Sequence, residues 1–437
     1  LDSNIQYIVE RELQKTVKKY NAKSGTVIVI HPQTGEILAM ASKPSYNPNN
    51  PGKSKPQHKK IRAINDCFEP GSTFKVFLLA GALEDEIITP QDILFCENGR
   101  FRYGGRIIND VHKHKWLSVS KIIAFSSNIG ATKIGEKLGK ERLYYYIKKL
   151  GFGDRTGIDL PGETCGIVYA PSRWSKVRLA TTSFGQGISV TSIQIAAALS
   201  AIANGGMLMK PYIVKEIRDK NGNIVESFTP KIKKRVISTH TCELTKNVLE
   251  EVVAPEATGL NAAIPGYDVA GKTGTAQKVG KTGTYSDCQY TSSFIGFISA
   301  SPPELVIVVV IDEPEGSGYG GVVSAPLFSK IGKQTLSYLG VMPSKPSITD
   351  KNSILIVKRE NKNQSTLKLL SNFPENDKEP MMPDFTGMTM RHVFKIINKY
   401  KIRVKITGSG IVVGQNPSPG NSLPEDGEGW VILQPPA

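Results

Sequence analysis

A serine and a lysine three residues apart, Ser72 and Lys75, are the residues of this chain best suited to covalent chemistry. They follow a Pro70-Gly71 turn and precede the apolar run 76–83, which predicts that a buried helix begins at Ser72. At a helix N-terminus, free backbone N–H groups and the helix dipole stabilise negative charge on an attacking oxygen. Because residues i and i+3 share a helical face, the lysine would lie beside the serine as its base.

Two further short patterns occur later in the chain, Ser-x-Asn at Ser126 and Asn128 and Lys-Thr-Gly-Thr at residues 272–275. The first interrupts a helical pattern, which predicts a polar loop between two helices, and the second continues a strand-like run. A lysine acts as a base only when it is neutral near pH 7, and a second ammonium nearby together with partial burial lowers its pKa. We therefore expect Lys272 to lie in the same cleft as Lys75.

Each of these patterns occurs more than once, so context decides which copy is functional. Ser-x-x-Lys recurs at Ser118 and Ser365, and Lys-Thr-Gly-Thr recurs at residues 281–284. Only Ser72 follows a Pro-Gly turn and precedes a long apolar helix, whereas residues 281–284 are predicted to form a loop. The copies at Ser72, Ser126 and residues 272–275 are therefore the candidates.

The elements that would position these residues form a mixed pattern. Helices are predicted near both ends of the first 340 residues, with a hairpin early and a run of strands late, which indicates an α+β domain built on an antiparallel sheet. The predicted helices cover residues 4–20, 141–150, 191–203, 244–253 and 322–339, and the predicted strands cover residues 25–31, 37–41, 268–277, 294–298 and 305–311.

The chain divides by composition into three parts. Residues 1–341 carry all three motifs, residues 342–380 are rich in Lys, Asn, Ser and Pro and are predicted to be a linker, and residues 381–437 form a small final domain. In that domain the pattern predicts a helix over residues 389–398, followed by strands at residues 402–407, 411–414 and 430–433.

The formal charge of +16 raises the question of nucleic-acid binding, but the basic clusters at residues 53–60 and 231–235 have no interleaved aromatic residues and match no nucleic-acid motif. A basic surface equally suits an anionic cell envelope. Five scattered cysteines and the lone pair His112 and His114 indicate no disulfide framework and no metal site. No apolar stretch is long enough to cross a bilayer, and any membrane anchor would lie upstream of Leu1.

The chain contains five short segments, at residues 70–75, 126–130, 203–206, 271–277 and 294–297. In type and order, these segments resemble those of a class B penicillin-binding protein, a monofunctional D,D-transpeptidase. The tail is similar to a PASTA domain, at residues 382–388 and 414–420. The resemblance implies a penicillin-binding transpeptidase fold, with an antiparallel sheet flanked by helices and a helical subdomain, followed by a small α+β PASTA-like domain.

The implied reaction is cross-linking of peptidoglycan stem peptides through an acyl-enzyme on Ser72, blocked covalently by β-lactams and needing no cofactor. Lys75 would be the base, Ser126 would relay a proton to the leaving amine, Asn128 would hold the substrate amide and Lys75, and Lys272 would complete the cleft. The implied place is the outer face of the cytoplasmic membrane, in the bacterial cell envelope, with other cell-wall synthesis or division proteins as partners.

The third motif would bind the substrate. The resemblance implies that the hydroxyls of Thr273 and Thr275 hold the terminal carboxylate, and that the backbone N–H groups of Ser72 and Thr275 form the oxyanion hole. Gly274, which lacks a Cβ atom, would let an extended peptide pair with this strand edge.

Three alternatives use the same fold: a D,D-carboxypeptidase or a β-lactamase, in which water replaces the acceptor amine, and a β-lactam sensor without turnover. The Glu-x-x-Leu-Asn pattern of class A β-lactamases is absent from the sequence, so slow deacylation is expected. The tail would bind uncross-linked peptidoglycan or dock on the first domain, or would serve as a packing module alone.

Overall fold

The computed structural model describes residues 1–279, 285–299, 305–343, 382–388, 393, 396–397, 403–408, 411–421 and 428–434. The chain forms two compact units, Leu1–Lys351 and Asn352–Ala437. Most of the predicted linker, residues 342–380, lies outside the described residues, so the predicted domain boundaries stay a prediction.

A five-stranded antiparallel sheet lies at the centre of the first unit. Its strands are β1 (Ser24–Ile30), β2 (Ile37–Lys43), β13 (Asp268–Val279), β14 (Tyr285–Ser299) and β15 (Leu305–Asp312). Their order is β13-β14-β15-β1-β2, so β13, which carries the Lys-Thr-Gly-Thr motif, is an edge strand. The early hairpin, the late strands and the antiparallel pairing predicted from the sequence are confirmed.

Ten helices in the described residues belong to the first unit, and both faces of the sheet are covered. The helices are α1 (Ser3–Lys19), α2 (Arg62–Asn65), α3 (Lys75–Glu84), α4 (Val119–Ala124), α5 (Asn128–Leu138), α6 (Lys140–Lys149), α7 (Lys176–Ser183), α8 (Ser192–Ala203), α9 (Thr239–Glu251) and α10 (Gly320–Tyr338), counted among the described residues. Strand β1 is buried on both sides: Val27 and Val29 belong to the core that includes residues of α1 and α10, and Ile28 and Ile30 to the core that includes α3, α5 and α8.

Short two-stranded ribbons lie outside the central sheet. They are β3 (Cys67–Phe68) with β8 (Val190–Thr191), β4 (Ile93–Phe95) with β7 (Trp116–Ser118), β5 (Arg100–Tyr103) with β6 (Arg106–Asn109), β9 (Met207–Met209) with β12 (Ile232–Arg235), and β10 (Glu216–Arg218) with β11 (Ile224–Ser227). None of the helices in the described part of the chain has the length and hydropathy needed to cross a membrane.

The second unit contains a three-stranded sheet built from β16 (Arg403–Gly408), β17 (Ile411–Asn416) and β18 (Glu428–Gln434). Strand β18 is central, parallel to β16 and antiparallel to β17. Met382, Phe385, Val412, Val431 and Leu433 are buried in its small core. The three predicted strands are confirmed, whereas the predicted helix over residues 389–398 lies mostly outside the described residues.

Candidate active site

Ser72 lies in a 3-10 turn, Gly71–Phe74, and the α-helix begins only at Lys75. The predicted buried helix over residues 76–83 is confirmed, but Ser72 lies in a 3-10 turn that precedes the helix and not in its first α-helical turn. Gly71 has a φ of 55°, a left-handed conformation that an α-helix cannot contain, and its N–H donates to the carbonyl oxygen of Gly185 at 3.0 Å. This turn is thus fixed to a neighbouring loop, and Ser72 and Lys75 still lie on the same side.

The side chain of Lys75 is completely buried, with an exposed fraction of 0%. Burial lowers the pKa of this lysine from its ordinary value of 10.5 to about 7, and the carboxylate of Asp110 opposes that change. A substantial share of Lys75 is therefore a neutral amine near pH 7, as a general base must be.

Four oxygen atoms surround the Lys75 Nζ. The carbonyl oxygen of Ser126 is 2.6 Å away and the Asn128 Oδ1 is 2.8 Å away, while the hydroxyls of Ser72 and Ser126 lie at 3.1 and 3.2 Å. Both carbonyl oxygens can only accept hydrogen bonds, so they take the two N–H bonds of a neutral amine. The nitrogen lone pair is then left for a hydroxyl, and the Ser72 Oγ is the nearer of the two.

The tripeptide from Ser126 to Asn128 is held by Asp110, a residue that the sequence analysis missed. The Asp110 carboxylate accepts hydrogen bonds from the Ser127 hydroxyl at 2.6 Å and from the backbone N–H groups of Asn128 and Ile129 at 2.6 and 3.0 Å. An anion is favourable there because these N–H groups open helix α5. Asp110 follows β6 and therefore reaches the motif from a separate ribbon.

Ser126 itself has a left-handed backbone, with a φ of 60°. Its carbonyl oxygen and its hydroxyl both lie within hydrogen-bond distance of the Lys75 Nζ. Asn128 is oriented from both ends of its amide, because the Oδ1 faces Lys75 and the Nδ2 donates to the Asn109 carbonyl oxygen at 3.1 Å. One N–H of this amide remains for another acceptor.

Lys272 enters the same site from strand β13. It is also completely buried, with an exposed fraction of 0%, and its Nζ donates to the carbonyl oxygen of Thr273 at 3.2 Å. Burial first, and then the charge of Lys75, hold the pKa of Lys272 well below its ordinary value. Strand β13 also packs against the turn that contains Ser72, so the first and third motifs share one cleft.

The edge of β13 packs closely against the turn that contains Ser72. A Cβ atom added to Gly274 would clash with the Ser293 hydroxyl and lie 2.7 Å from the Thr73 Cγ2 and 3.2 Å from the Pro70 carbonyl oxygen. A Cβ on Gly71 would in turn lie 3.1 Å from the Ala276 Cβ. The glycine in the third motif is therefore needed for close packing between strand and turn, in addition to any approach of a ligand.

The hydroxyls of Thr273 and Thr275 have protein partners. The Thr273 Oγ1 donates to the Thr258 Oγ1 at 3.1 Å, and the Thr275 Oγ1 accepts the backbone N–H of Gly320 at 3.1 Å. Thr258 also donates to the Ala124 carbonyl oxygen at 3.0 Å, so it links β13 to α4. Thr258 lies 15 residues before Thr273 in the chain, and no motif or periodicity in the sequence marks it.

The structure thus brings Ser72, Lys75, Ser126 and Asn128 into direct contact around one nitrogen and places Lys272 in the same buried environment. The sequence also contains further copies of Ser-x-x-Lys and of Lys-Thr-Gly-Thr. Ser118 caps α4, and residues 281–284 and Ser365 lie outside the described residues. Among those residues, no group of three or more His, Cys, Asp and Glu side chains could hold a metal ion.

Comparison with known families agrees with this geometry. Residues 25–333 match the family described as the penicillin binding protein transpeptidase domain, and residues 380–428 match the PASTA domain. The chain is 38% identical over 439 residues to stage V sporulation protein D of Bacillus subtilis, covering 99% of this chain and 64% of that protein. It is 34% identical over 357 residues to the peptidoglycan D,D-transpeptidase FtsI of Escherichia coli, covering 82% of this chain and 58% of FtsI.

Solved structures give the same result. The transpeptidase domain of penicillin-binding protein 3 from Burkholderia pseudomallei superposes with a TM-score of 0.69 at 37% identity, covering 79% of this chain and 97% of that one. Penicillin-binding protein 3 of Mycobacterium tuberculosis, solved in complex with aztreonam, has a TM-score of 0.72 at 30% identity and covers 79% of this chain and 80% of that one.

This chain spans about two thirds or less of the two curated relatives named above, 64% and 58% of their lengths. Within that span the family match covers most of the first unit and includes every described residue around the Lys75 Nζ. The fold and the family predicted from the sequence are confirmed: the chain belongs to the penicillin-binding protein transpeptidase family and has a PASTA domain at its C-terminal end.

Proposed function

We propose that this protein is a serine D,D-transpeptidase that cross-links peptidoglycan stem peptides and is acylated by β-lactams. One observation carries this proposal: a buried lysine with a pKa of about 7 lies 3.1 Å from the hydroxyl of Ser72. Its relatives named as D,D-transpeptidases, and the relatives solved with aztreonam and ampicillin, support the same chemistry.

The first half of the reaction forms an ester. The Ser72 Oγ attacks the carbonyl carbon between the two terminal D-alanines, and its proton passes to the neutral Lys75 amine. The negative charge on the substrate oxygen would be stabilised by the backbone N–H groups of Ser72 and Thr275, each worth roughly 3 to 4 kcal/mol in comparable sites. When the C–N bond breaks, the leaving amine takes a proton through the Ser126 hydroxyl, which contacts the Lys75 Nζ at 3.2 Å.

The second half transfers the acyl group to an amine. An acceptor amine from a neighbouring stem attacks the ester carbon, loses a proton to Lys75, and releases the Ser72 oxygen, which regains its proton. A β-lactam would follow only the first half, because its amine remains attached after the ring opens. The ester on Ser72 would then persist.

Binding of the donor peptide would use the edge of β13. The strand has an outer edge, and Gly274 lies beside the turn that carries Ser72. The terminal carboxylate is assigned to Thr273 and Thr275, whose hydroxyls would exchange their present partners, Thr258 and the Gly320 N–H, in the complex. Lys272 adds positive character to the same end of the groove whenever it is protonated.

Covalent labelling by a fluorescent penicillin tests the proposal. Ser72→Ala should abolish labelling, because the ester oxygen is removed. Ser118→Ala is the matched control, since it changes a serine in a second Ser-x-x-Lys pattern whose side chain caps α4 by accepting the Lys121 N–H at 3.2 Å. Labelling of Ser72→Ala at the wild-type rate would contradict the assignment of the nucleophile.

The acceptor distinguishes a transpeptidase from a D,D-carboxypeptidase. A stem-peptide donor is incubated with and without an amine acceptor, and the products are separated by mass. A cross-linked product supports the proposal, whereas hydrolysis alone in both reactions would indicate a carboxypeptidase. Because peptidoglycan is the proposed substrate, the protein would act at the bacterial cell envelope. Other cell-wall proteins are its proposed partners.

A further inference from the structure

A strongly cationic surface lies beside the second motif and has no part in the mechanism above. Residues 100–116 contain five lysine and arginine side chains and one carboxylate, that of Asp110. All five cations are exposed, and they define this cationic surface: Arg100, Arg102, Arg106, Lys113 and Lys115. A surface with this excess of one charge attracts ligands of the opposite sign.

The ribbon of β5 and β6 turns two of these arginines toward solvent. Side chains alternate along a strand, so Arg100 and Arg102 share one face of β5 and Phe101 lies on the other. The Lys133 ammonium of α5 lies 4.9 Å from the centre of the Phe101 ring, and Ile108, the cross-strand partner of Phe101, is buried. One face of the ribbon is therefore packed against the protein, and the arginines occupy the other.

The segment that follows the ribbon returns beside it and adds the two lysines. A Cβ atom on Gly99 would lie 3.1 Å from the Lys113 Cα, so residue 113 runs next to the start of β5. Beyond Lys115 comes Trp116, which is 64% exposed and whose ring centre lies 4.8 Å from that of Phe95. An exposed tryptophan at the border of a charged surface is typical of an interaction site.

The positive charge of this surface has no counter-charge. Within the part of the chain that the structure describes, none of its five cations forms an ion pair. Residues 93–116 contain two carboxylates, and both have other partners: Glu97 pairs with Lys133 at 2.6 Å, and Asp110 accepts three hydrogen bonds from residues 127–129. A ligand with several anionic groups would therefore complement the surface.

The surface is connected directly to the catalytic cleft. Asn109 pairs with Arg100 across the ribbon, and its carbonyl oxygen accepts the Asn128 Nδ2 at 3.1 Å. Paired residues of antiparallel strands have Cα atoms about 5 Å apart, so the Arg100 side chain starts close to the second motif. The acceptor amine would approach the ester carbon past Ser126, by the path along which the leaving amine departs. Because the donor peptide occupies β13, the rest of the acceptor strand would extend on the side of the second motif.

We propose that the cationic surface binds the acceptor strand of peptidoglycan through the free carboxylates of its stem peptides. A stem that supplies the amine keeps its own terminal carboxylate, so a glycan strand with several stems is a polyanion. Arg100 and Arg102 lie about 7 Å apart along β5, and each guanidinium can hold a carboxylate with two hydrogen bonds. This inference rests on the proposed function, since it concerns the second half of the same reaction.

Two synthetic acceptors test it. One is a short glycan strand whose stem tetrapeptides end in free carboxylates, and the other is the same strand with those carboxyl groups converted to amides. Each is offered with one small donor pentapeptide, and the measurement is kcat/KM of the acceptor for formation of the cross-linked product. The wild-type protein should use the carboxylate strand about tenfold better, which corresponds to about 1.4 kcal/mol. This preference should shrink in about 0.5 M salt, because exposed charges are screened.

The double variant Arg100→Gln, Arg102→Gln should bring that ratio to within about twofold of unity. The matched control is Lys215→Gln, Lys220→Gln, which removes the same charge from two exposed residues that flank β10 in a separate ribbon, and it should keep the wild-type ratio. Both acceptors are compared on the same protein, so a change in folded fraction or in the acylation of Ser72 cancels.

Equal use of the two acceptors by the wild-type protein would overturn the inference, as would an unchanged ratio in the arginine double variant. Vesicles that contain phosphatidylglycerol test an anionic membrane as the other occupant. Vesicle binding that the arginine double variant loses, together with equal use of the two acceptors, would assign the surface to lipid and overturn the inference. Failure of the proposed function has a different signature, because the wild-type protein would then not be labelled by penicillin and would form no cross-linked product with either acceptor.

Discussion

Acylation of Ser72 should become slower as the pH falls, because Lys75, its proposed base, has a pKa close to neutrality. Burial lowers the pKa of Lys75 to about 7 against the opposing influence of Asp110. With such a pKa, about half of the amines are neutral at pH 7, about 10% at pH 6 and about 1% at pH 5. The acylation rate constant should therefore level off above about pH 8 and fall about tenfold per pH unit below about pH 6.

The assay is the second-order rate constant for labelling by a fluorescent penicillin, measured from about pH 5 to about pH 9. A thermal melt at each pH separates loss of the base from loss of the fold. A rate that stays constant down to about pH 5, or that keeps rising to about pH 10, would refute the assignment of Lys75 as a base poised near neutrality.

Asp110→Asn sharpens this test, because it removes the charge that opposes the lowered pKa of Lys75 while an amide oxygen can still accept the N–H groups of Asn128 and Ile129. The acid limb should move to lower pH, by about one pH unit for a charge acting at short range. A purely structural role would lower the plateau and leave the limb in place.

Glu84→Gln is the control for that variant. Glu84 accepts from the backbone N–H of Ser238 at 2.9 Å at the start of α9, much as Asp110 does at the start of α5. It ends helix α3, nine residues from Lys75, which is about 14 Å along a helix axis. The acid limb of Glu84→Gln should coincide with that of the wild-type protein.

Two further predictions concern packing and stability. Gly274→Ala should slow penicillin labelling at least about tenfold, because the new methyl group would lie 2.7 Å from the Thr73 Cγ2 and press β13 away from Ser72. Gly52→Ala is the control and should be labelled at the wild-type rate, because a Cβ atom there meets nothing within 4 Å. Labelling of Gly274→Ala at the wild-type rate would contradict this. Lys75→Met should abolish labelling but stabilise the fold in urea at about pH 6, since the pKa of this buried lysine is lowered from 10.5 to about 7. Between these values the unfolded chain binds a proton that the folded protein does not, so wild-type stability rises with pH, by up to about 1.4 kcal/mol per pH unit. The advantage of Lys75→Met should therefore shrink by about pH 9, and an advantage that grows with pH would show that the sign is wrong.

Much of the architecture was predictable because the apolar residues within each helix and strand recur at a regular spacing. The alternating and continuous apolar runs at residues 25–31, 294–298 and 305–311 lie in strands of the central sheet, and the bounds of the periodic helices differ from the predicted ones by at most five residues. Local context also distinguished Ser72 from the second copy at Ser118, which caps α4 in the structure. Such features depend on neighbours in sequence, which the sequence displays directly.

The features that were not predicted depend on contacts between distant parts of the chain. The 3-10 turn at Ser72 arises where the Gly71 N–H meets the carbonyl of Gly185, more than a hundred positions later. Asp110 reaches the second motif from the β5–β6 ribbon, and Thr258 joins α4 to β13. No periodicity or spacing marks these residues, because a single hydrogen bond across the fold leaves no pattern in the sequence.

The left-handed backbone of Ser126 has a consequence for anyone who engineers this protein. A non-glycine residue in that conformation raises the free energy of the folded state by about 1 kcal/mol or more, and Ser126→Gly would relieve it. The same change would delete the hydroxyl that lies 3.2 Å from the Lys75 Nζ. Screens that reward thermostability alone would therefore tend to select glycine here and discard turnover, so selection for antibiotic labelling should accompany them.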